Sequence, residues 1–128
     1  TLGPGDAAIV GRDLHQSLLT ALVLSGAAPV YVAPRLHPDP GIGLGIDPGD
    51  VAAARDGHRS AKLVAITSPT YWGVASDIAG VARVAHARGV PLHVDAAWGP
   101  HLGFHPALPP SPLVAGADLM VTSPHKLL

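Results

Sequence analysis

The hydrophobic residues of this chain fall into short apolar runs that alternate with stretches of helical spacing. Strands are predicted where the runs occur, at residues 7–10, 29–32, 62–67, 90–95 and 118–122. Helices are predicted between them, at residues 13–26, 50–57 and 77–89. Strands that alternate with helices favour a parallel sheet with right-handed crossovers. The predicted fold class is therefore α/β, a mostly parallel sheet with flanking helices.

The ends of the predicted helices carry ordinary start and stop signals. Asp13, Asp47 and Asp77 are placed to cap helix N-termini through their carboxylates, and Gly26 and Gly89 are natural stops. The first helix is expected to bury one face, made of Leu14, Leu18, Leu19, Leu22 and Val23.

The last part of the chain is predicted to run from a long loop into a buried strand. Residues 96–112 form the loop, and residues 112–115 are expected to make one helical turn. The apolar run at residues 119–121 indicates a buried strand, followed by a loop that carries Ser123, His125 and Lys126.

Composition narrows the class of protein. The 128 residues are 48% hydrophobic and 13% charged, which suits one globular domain. A formal net charge of −1 without a basic run argues against nucleic acid as a partner. The most apolar region, residues 18–33, is too interrupted for a membrane span, and the absence of a signal peptide favours the cytoplasm.

Two residues stand out as candidates for chemistry. Asp95 and Lys126 are 126 − 95 = 31 residues apart, and each follows a predicted strand. Ligands bind outside the carboxyl ends of parallel strands, where an acid and an amine can serve the ring nitrogen and the aldehyde of pyridoxal phosphate (PLP). The alternatives are a capping aspartate and a solvated surface lysine.

Several segments resemble the PLP-dependent ornithine/lysine/arginine decarboxylases, of the aspartate-aminotransferase-like fold type I. The similarity is carried, in the family's order, by Arg12-Asp-Leu-His-Gln-Ser-Leu18, Leu24-Ser-Gly-Ala-Ala-Pro-Val-Tyr31, Pro69-Thr-Tyr-Trp-Gly-Val74, His93-Val-Asp-Ala-Ala-Trp-Gly-Pro-His101 and Ser123-Pro-His-Lys126. The resemblance implies that residues 1–128 are part of a PLP-binding large domain, with a phosphate loop upstream and a small domain downstream that lie outside this sequence. It implies a homodimer or higher homo-oligomer and a fragment that is inactive alone.

The resemblance also implies an activity and a role for each site residue. The activity is decarboxylation of a basic amino acid through a Schiff base on Lys126, with Asp95 holding the pyridine nitrogen. Ala97 would pack under the ring and His15 would stack on the opposite face near the substrate carboxylate. Phosphate oxygens would be bound by Ser123 and His125.

Other interpretations of these residues stay open. His15 can be a helix-terminus histidine bonded to backbone, and Ser123 a turn-forming serine. Ser68 and Thr70 can reach the phenolic oxygen of the cofactor, although loop capping is the better single prediction.

Two further patterns lead to no predicted site. The three histidines His93, His101 and His105 lack a metal-binding motif, so no metal site is predicted. The glycines at residues 41–45 lack nucleotide-binding spacing and indicate flexibility.

Two departures from the family pattern bear on the activity. Asp95-Ala-Ala-Trp98 stands where the family usually has Asp-Glu-Ala-His, and Ser123-Pro-His-Lys126 where it has Ser-Thr-His-Lys. The alternatives to the decarboxylase are therefore another fold-type-I reaction, such as transamination or a lyase step, and a degenerate or truncated homologue that only binds.

Overall fold

A computed structural model describes residues 2–127 of the chain, and it contains five strands and four helices. The strands are β1 (Ala7–Gly11), β2 (Ala28–Val32), β3 (Leu63–Thr67), β4 (Leu92–Asp95) and β5 (Leu119–Val121). The helices are α1 (Gln16–Ser25), α2 (Pro48–Gly57), α3 (Ile78–His86) and α4 (Pro124–Leu127). None of these helices has the length and hydrophobicity needed to cross a membrane.

The strands form one parallel sheet in the order β2-β1-β3-β4-β5, which confirms the predicted α/β class. From β1 the chain moves to one side to make β2, and then crosses to the other side of β1 to make β3. The direction of winding therefore reverses between β1 and β3. In open parallel sheets this reversal leaves a crevice at the carboxyl ends of the strands, where ligands bind.

Each face of the sheet has its own apolar core, because successive strand residues point to opposite faces. Ile9, Val64 and Val94 pack with α2 and α3 on one face. Ala8, Val10 and Ala65 pack with Leu22 of α1 on the other. Since Leu92 and Val94 of β4 belong to the first face, His93 and Asp95 lie on the face that carries α1.

The sequence located most helix ends correctly, with one error at the start of α1. Gly26 adopts the left-handed conformation (φ 69°) that ends α1, and Asp47 and Asp77 accept backbone N–H groups at the starts of α2 and α3. Asp13 does not cap α1 as predicted, because the helix begins three residues later, and His15 is its N-cap. The carboxylate of Asp13 is thereby left for another role.

The predicted buried face of α1 is only partly present. Leu22 is buried and Leu14 and Leu18 are partly covered. Leu19 and Val23 are exposed instead, because α1 contacts the sheet along a narrow stripe.

Two predictions for the last part of the chain were wrong, and a third was confirmed. β5 is not buried, since Leu119 and Val121 are 57% and 50% exposed, because β5 is the edge strand of the sheet in the part of the chain that the structure describes. Residues 112–115 form the predicted single helical turn, in which the N–H of Ala115 donates to the carbonyl of Ser111 at 3.0 Å. Lys126 lies on the short helix α4 and not in a loop.

Asp118 joins the starts of β4 and β5. Its Oδ2 accepts the backbone N–H of Leu92 at 2.7 Å and lies 2.8 Å from Nε2 of His86. The backbone N–H of Asp118 in turn donates to the carbonyl of Leu92 at 2.9 Å. The hydrogen bonds from Leu92 and His86 hold the pKa of Asp118 below its ordinary value of 3.8. This carboxylate therefore fixes the register of the two strands that lead to Asp95 and to Lys126.

We expect Asp118 to contribute to acid stability in a defined pH window. Because its pKa is depressed in the folded protein, its contribution is complete above the ordinary value of 3.8 and is lost as the pH falls through the lower folded value. Asp118→Asn should therefore lower the free energy of unfolding at pH 5 to 7, and the difference from the parent should vanish towards pH 2. Urea unfolding across this range measures it. Asp56→Asn removes a comparable surface ion-pair carboxylate and serves as control, and a difference for Asp118→Asn that persists at the lowest pH would contradict the linkage.

Candidate active site

A cavity of about 270 Å³ opens at the carboxyl edge of the sheet, and we call it the sheet-end cavity. It lies where the carboxyl ends of β3 and β4 meet the start of α1 and the helix α4. Its lining consists of Asp13, Leu14, His15, Gln16, Thr67, Tyr71, Asp95, Ala97, Trp98 and Lys126. Four of the residues predicted as a site from sequence, at positions 15, 95, 97 and 126, thus share one cavity.

Asp95 is the last residue of β4 and is only 8% exposed. Its Oδ1 accepts the backbone N–H of Ala97 at 3.0 Å, which orients the carboxylate. The backbone around it is also tied down, because its carbonyl accepts the N–H of Ser68 at 3.0 Å. Asp95 is therefore a fixed carboxylate at the base of the cavity, with Oδ2 left to bind a donor.

Lys126 reaches the cavity from α4, after the chain has left β5. Its Nζ lies 4.6 Å from the centroid of the Trp98 ring, a cation–π contact. Trp98 packs edge-to-face with Tyr71 at 5.3 Å between centroids. The amine is thus held beside the Trp98 ring, in the cavity that Asp95 also lines.

His15 and Ala97 complete the set of predicted residues in the cavity. The Nδ1 of His15 accepts the backbone N–H of Ser17 at 3.2 Å and lies 2.8 Å from its hydroxyl. The interpretation of His15 as a backbone-bonded helix-terminus histidine is confirmed, and the same residue also lines the cavity. Capping fixes the imidazole without removing it from the site.

The other predicted polar residues lie outside the lining of the cavity. Ser123 and His125 are not among the residues that line it, and their role in phosphate binding stays a prediction. Ser68 Oγ accepts the N–H of Ser76 at 3.0 Å, and Thr70 Oγ1 accepts the N–H of Val74 at 3.3 Å. For these two residues the structure confirms the loop-capping interpretation.

The other six residues of the lining were not predicted as site residues from the sequence. They are Asp13, Leu14, Gln16, Thr67, Tyr71 and Trp98. Thr67 was detectable as the last residue of a strand that ends at the active edge. The others were not, because their positions depend on how the loops after β1, β3 and β4 fold over the sheet edge.

His93 lies two residues before Asp95 on β4, and the two side chains interact electrostatically. Burial lowers the pKa of His93, and the charge of Asp95 partly opposes that shift. Its Nδ1 is buried without a hydrogen-bond partner among residues 2–127. His93, His101 and His105 do not come together, and no group of three metal-binding side chains occurs in the described part of the chain.

A cavity larger than the sheet-end cavity lies elsewhere, in the loop after β4. It measures about 730 Å³ and is lined mainly by apolar residues, including Leu102, Phe104 and Val114. Because it has neither a carboxylate nor an amine, it cannot combine the two groups that the sheet-end cavity provides. The sheet-end cavity, and not this larger cavity, is therefore the candidate active site.

The fold places the chain among proteins with the PLP-dependent transferase fold. A SepCysS–SepCysE N-terminal domain complex matches with a TM-score of 0.73 and 20% identity over 95% of this chain and 32% of that one. N-succinyldiaminopimelate aminotransferase from Mycobacterium tuberculosis matches with a TM-score of 0.68 and 24% identity over 94% of this chain and 32% of that one. At these identities the likeness concerns the fold alone.

The sequence then assigns the family. Residues 1–128 match the family described as Orn/Lys/Arg decarboxylase, major domain, and the chain belongs to it. An arginine decarboxylase of Halalkalibacterium halodurans is 44% identical over 126 residues, which are 98% of this chain and 26% of that protein. The chain thus spans about a quarter of the length of this curated relative.

Proposed function

We propose that the protein containing this chain is a PLP-dependent decarboxylase of a basic amino acid, with arginine as its first candidate substrate. The observation that carries the proposal is that a buried carboxylate, Asp95, and an amine, Lys126, line one cavity at the carboxyl edge of the sheet. The family is named for decarboxylases of ornithine, lysine and arginine, and the relative described above is named an arginine decarboxylase.

The residues of the sheet-end cavity fit PLP by their chemistry. Asp95 offers an oriented carboxylate oxygen to a protonated ring nitrogen, and such a charge-assisted hydrogen bond is short and strong. Lys126 offers the primary amine that an aldehyde requires. Ala97 is small enough to lie against a flat ring, and the imidazole of His15 suits the opposite face. Phosphate binding is assigned to Ser123 and His125 only through the family resemblance.

Within this proposal each side chain has a defined task. When bound, PLP supplies an electron-withdrawing ring that accepts the electrons released as CO₂ leaves. Asp95 keeps the ring nitrogen protonated, and the N–H of Ala97 keeps the Asp95 carboxylate in place. His15, locked by Ser17, limits tilting of the ring and orients the substrate carboxylate. Lys126 would hold the cofactor through its side-chain amine, which would also be placed to transfer protons at the substrate.

The reaction can be tested directly on the full-length protein with added PLP. Incubation with arginine, lysine and ornithine should release CO₂ in amounts equal to the amine formed, fastest with arginine. Formation of a keto acid instead would assign a transaminase. Release of neither product, together with no absorbance from bound PLP, would assign a homologue without this activity.

We also propose that the protein self-associates as a homodimer or higher homo-oligomer and works in the cytoplasm. Support for self-association comes from α1, on which Val23 and Leu24 are almost fully exposed, since contiguous exposed apolar residues favour interfaces. Light scattering of the full-length protein tests the oligomeric state.

A further inference from the structure

A second cavity adjoins the sheet-end cavity at the crevice between β1 and β3. It measures about 240 Å³, and we call it the side cavity. Asp13, Thr67 and Tyr71 line both cavities and so form the wall between them. On the far side of this wall, Trp72 and Leu36 complete the space. A molecule that is bound to Lys126 in the sheet-end cavity would reach the side cavity by extending past these three wall residues.

One residue of this wall, Asp13, has a carboxylate without a compensating partner among the described residues. Both oxygens of Asp13 are buried, and neither accepts a hydrogen bond from another residue among those described. Burial raises the pKa of this carboxyl. Burial of a carboxylate away from water costs free energy unless a cation or a hydrogen-bond donor compensates it. The site therefore favours binding of a positively charged group.

Gly11 is what allows the carboxylate to lie in this position. A Cβ on residue 11 would stand 2.8 Å from Oδ1 of Asp13 and 3.4 Å from the Ile46 side chain. Only a residue without a side chain leaves that space at the end of β1. The buried placement of Asp13 is therefore compatible with glycine at residue 11 and would be crowded by a larger residue there.

Two aromatic side chains that line the side cavity together with Asp13 suit a cation as well. Tyr71 and Trp72 pack edge-to-face with 5.3 Å between ring centroids, and the faces of such rings attract ammonium and guanidinium groups. The nearby Arg35 does not supply the missing charge, because its guanidinium is paired with Asp47 at 2.9 Å. Trp72 is 61% exposed and Tyr71 is also exposed, so both rings have room to move when a chain enters.

We propose that Asp13, together with the Tyr71–Trp72 pair, binds the cationic end of the substrate side chain, a guanidinium or an ammonium group. The inference rests on the proposed function, because it takes Lys126 as the place where the substrate's amino group is held. It adds to that function a residue that determines specificity. The substrate backbone lies in the sheet-end cavity, its methylene groups pass Thr67 and Tyr71, and its charge meets Asp13 at the wall.

The first experiment separates side-chain recognition from chemistry in the full-length, PLP-loaded protein. Asp13→Asn keeps the size of the side chain and removes its charge. It should raise KM for arginine about 10- to 100-fold, well beyond its effect on kcat, because a buried charge loses its partner. The preference in kcat/KM for arginine over norleucine, whose side chain is shorter and uncharged, should narrow by a similar factor. Asp50→Asn, an exposed aspartate in the first turn of α2, is the matched control.

The second experiment does not depend on turnover. Methylguanidinium, added to the full-length protein without PLP, should quench tryptophan fluorescence and should do so much more weakly in Asp13→Asn and in Trp72→Leu. The exposure of Trp72 makes its replacement compatible with folding. If the parent releases no CO₂ but still binds methylguanidinium through Asp13, the proposed function fails and the cation site stands.

Two results would overturn the inference. One is an unchanged preference for arginine over norleucine in Asp13→Asn. The other is methylguanidinium binding that is equal in the parent, Asp13→Asn and Trp72→Leu.

Discussion

Replacement of Lys126 by alanine should abolish turnover and covalent capture of the cofactor together. The side chain of Lys126 lines the sheet-end cavity and is held over Trp98, and no other lysine of the chain is near, since the second one, Lys62, pairs with Asp6 at 2.8 Å before β3. Lys126 is the only amine among the residues that line the sheet-end cavity. Its loss removes both the group that bonds to the aldehyde of the cofactor and the group that transfers protons. We expect kcat to fall by about 10³-fold or more.

The most discriminating measurement of covalent capture is the mass of the protein after borohydride reduction in the presence of PLP. The parent should gain the mass of one reduced cofactor at Lys126, located by peptide mapping, and Lys126→Ala should gain none there. Lys62→Ala is the matched control, because it removes the other lysine of the chain and should keep the adduct. An adduct retained in Lys126→Ala at a different lysine of the full-length protein, with normal turnover, would remove Lys126 from the mechanism.

The positions of the strands and of most helix ends were predictable from the chain, and the reason is local. Runs such as residues 63–67 are apolar on both faces, which is the pattern of a parallel strand buried on two sides. Asp47 and Asp77 cap helices through contacts within three residues, so the sequence contains the information. The same local rule failed at Asp13, because His15 two residues later competes for the role of cap and takes it.

Exposure was harder to predict than secondary structure. The run Leu119–Val121 has the composition of a buried strand, but its place at the sheet edge is decided by the order of all five strands. The helix α1 shows the same limit, since Val23 was predicted to lie on the buried face with Leu22 and is exposed instead. Hydrophobic spacing tells which residues share a face, and only the tertiary fold tells what covers that face.

The sequence predicted the two reactive residues of the candidate site, Asp95 and Lys126, but not the aromatic residues that surround them. Asp95 and Lys126 were found because parallel strands deliver their carboxyl ends to one edge, a rule that needs no loop geometry. Tyr71, Trp72 and Trp98 come from loops after different strands, and their edge-to-face packing results from folding of those loops. The residues that would select a substrate are thus those for which local sequence is least informative.

Replacement of Asp95 by asparagine is the second substitution with a large expected effect. Asparagine has the same shape and can still accept the N–H of Ala97 through its amide oxygen, so the loop after β4 should keep its position. What it loses is the negative charge at the base of the cavity. In the proposed mechanism that charge keeps the ring nitrogen protonated while electrons move towards it, and we expect kcat to fall about 10²- to 10³-fold.

The effect of Asp95→Asn should be separable from damage to the fold. Its midpoint of thermal unfolding should stay near that of the parent, and it should still form the borohydride-trapped adduct at Lys126, because the amine is intact. Asp77→Asn is the matched control: it removes a carboxylate at the same edge, keeps an N-cap residue for α3 and does not line the sheet-end cavity. Turnover of Asp95→Asn within about threefold of the parent, measured as CO₂ release from arginine at saturation, would show that the carboxylate does not act on the cofactor, since removal of one preorganised charge in a water-poor site costs far more than that.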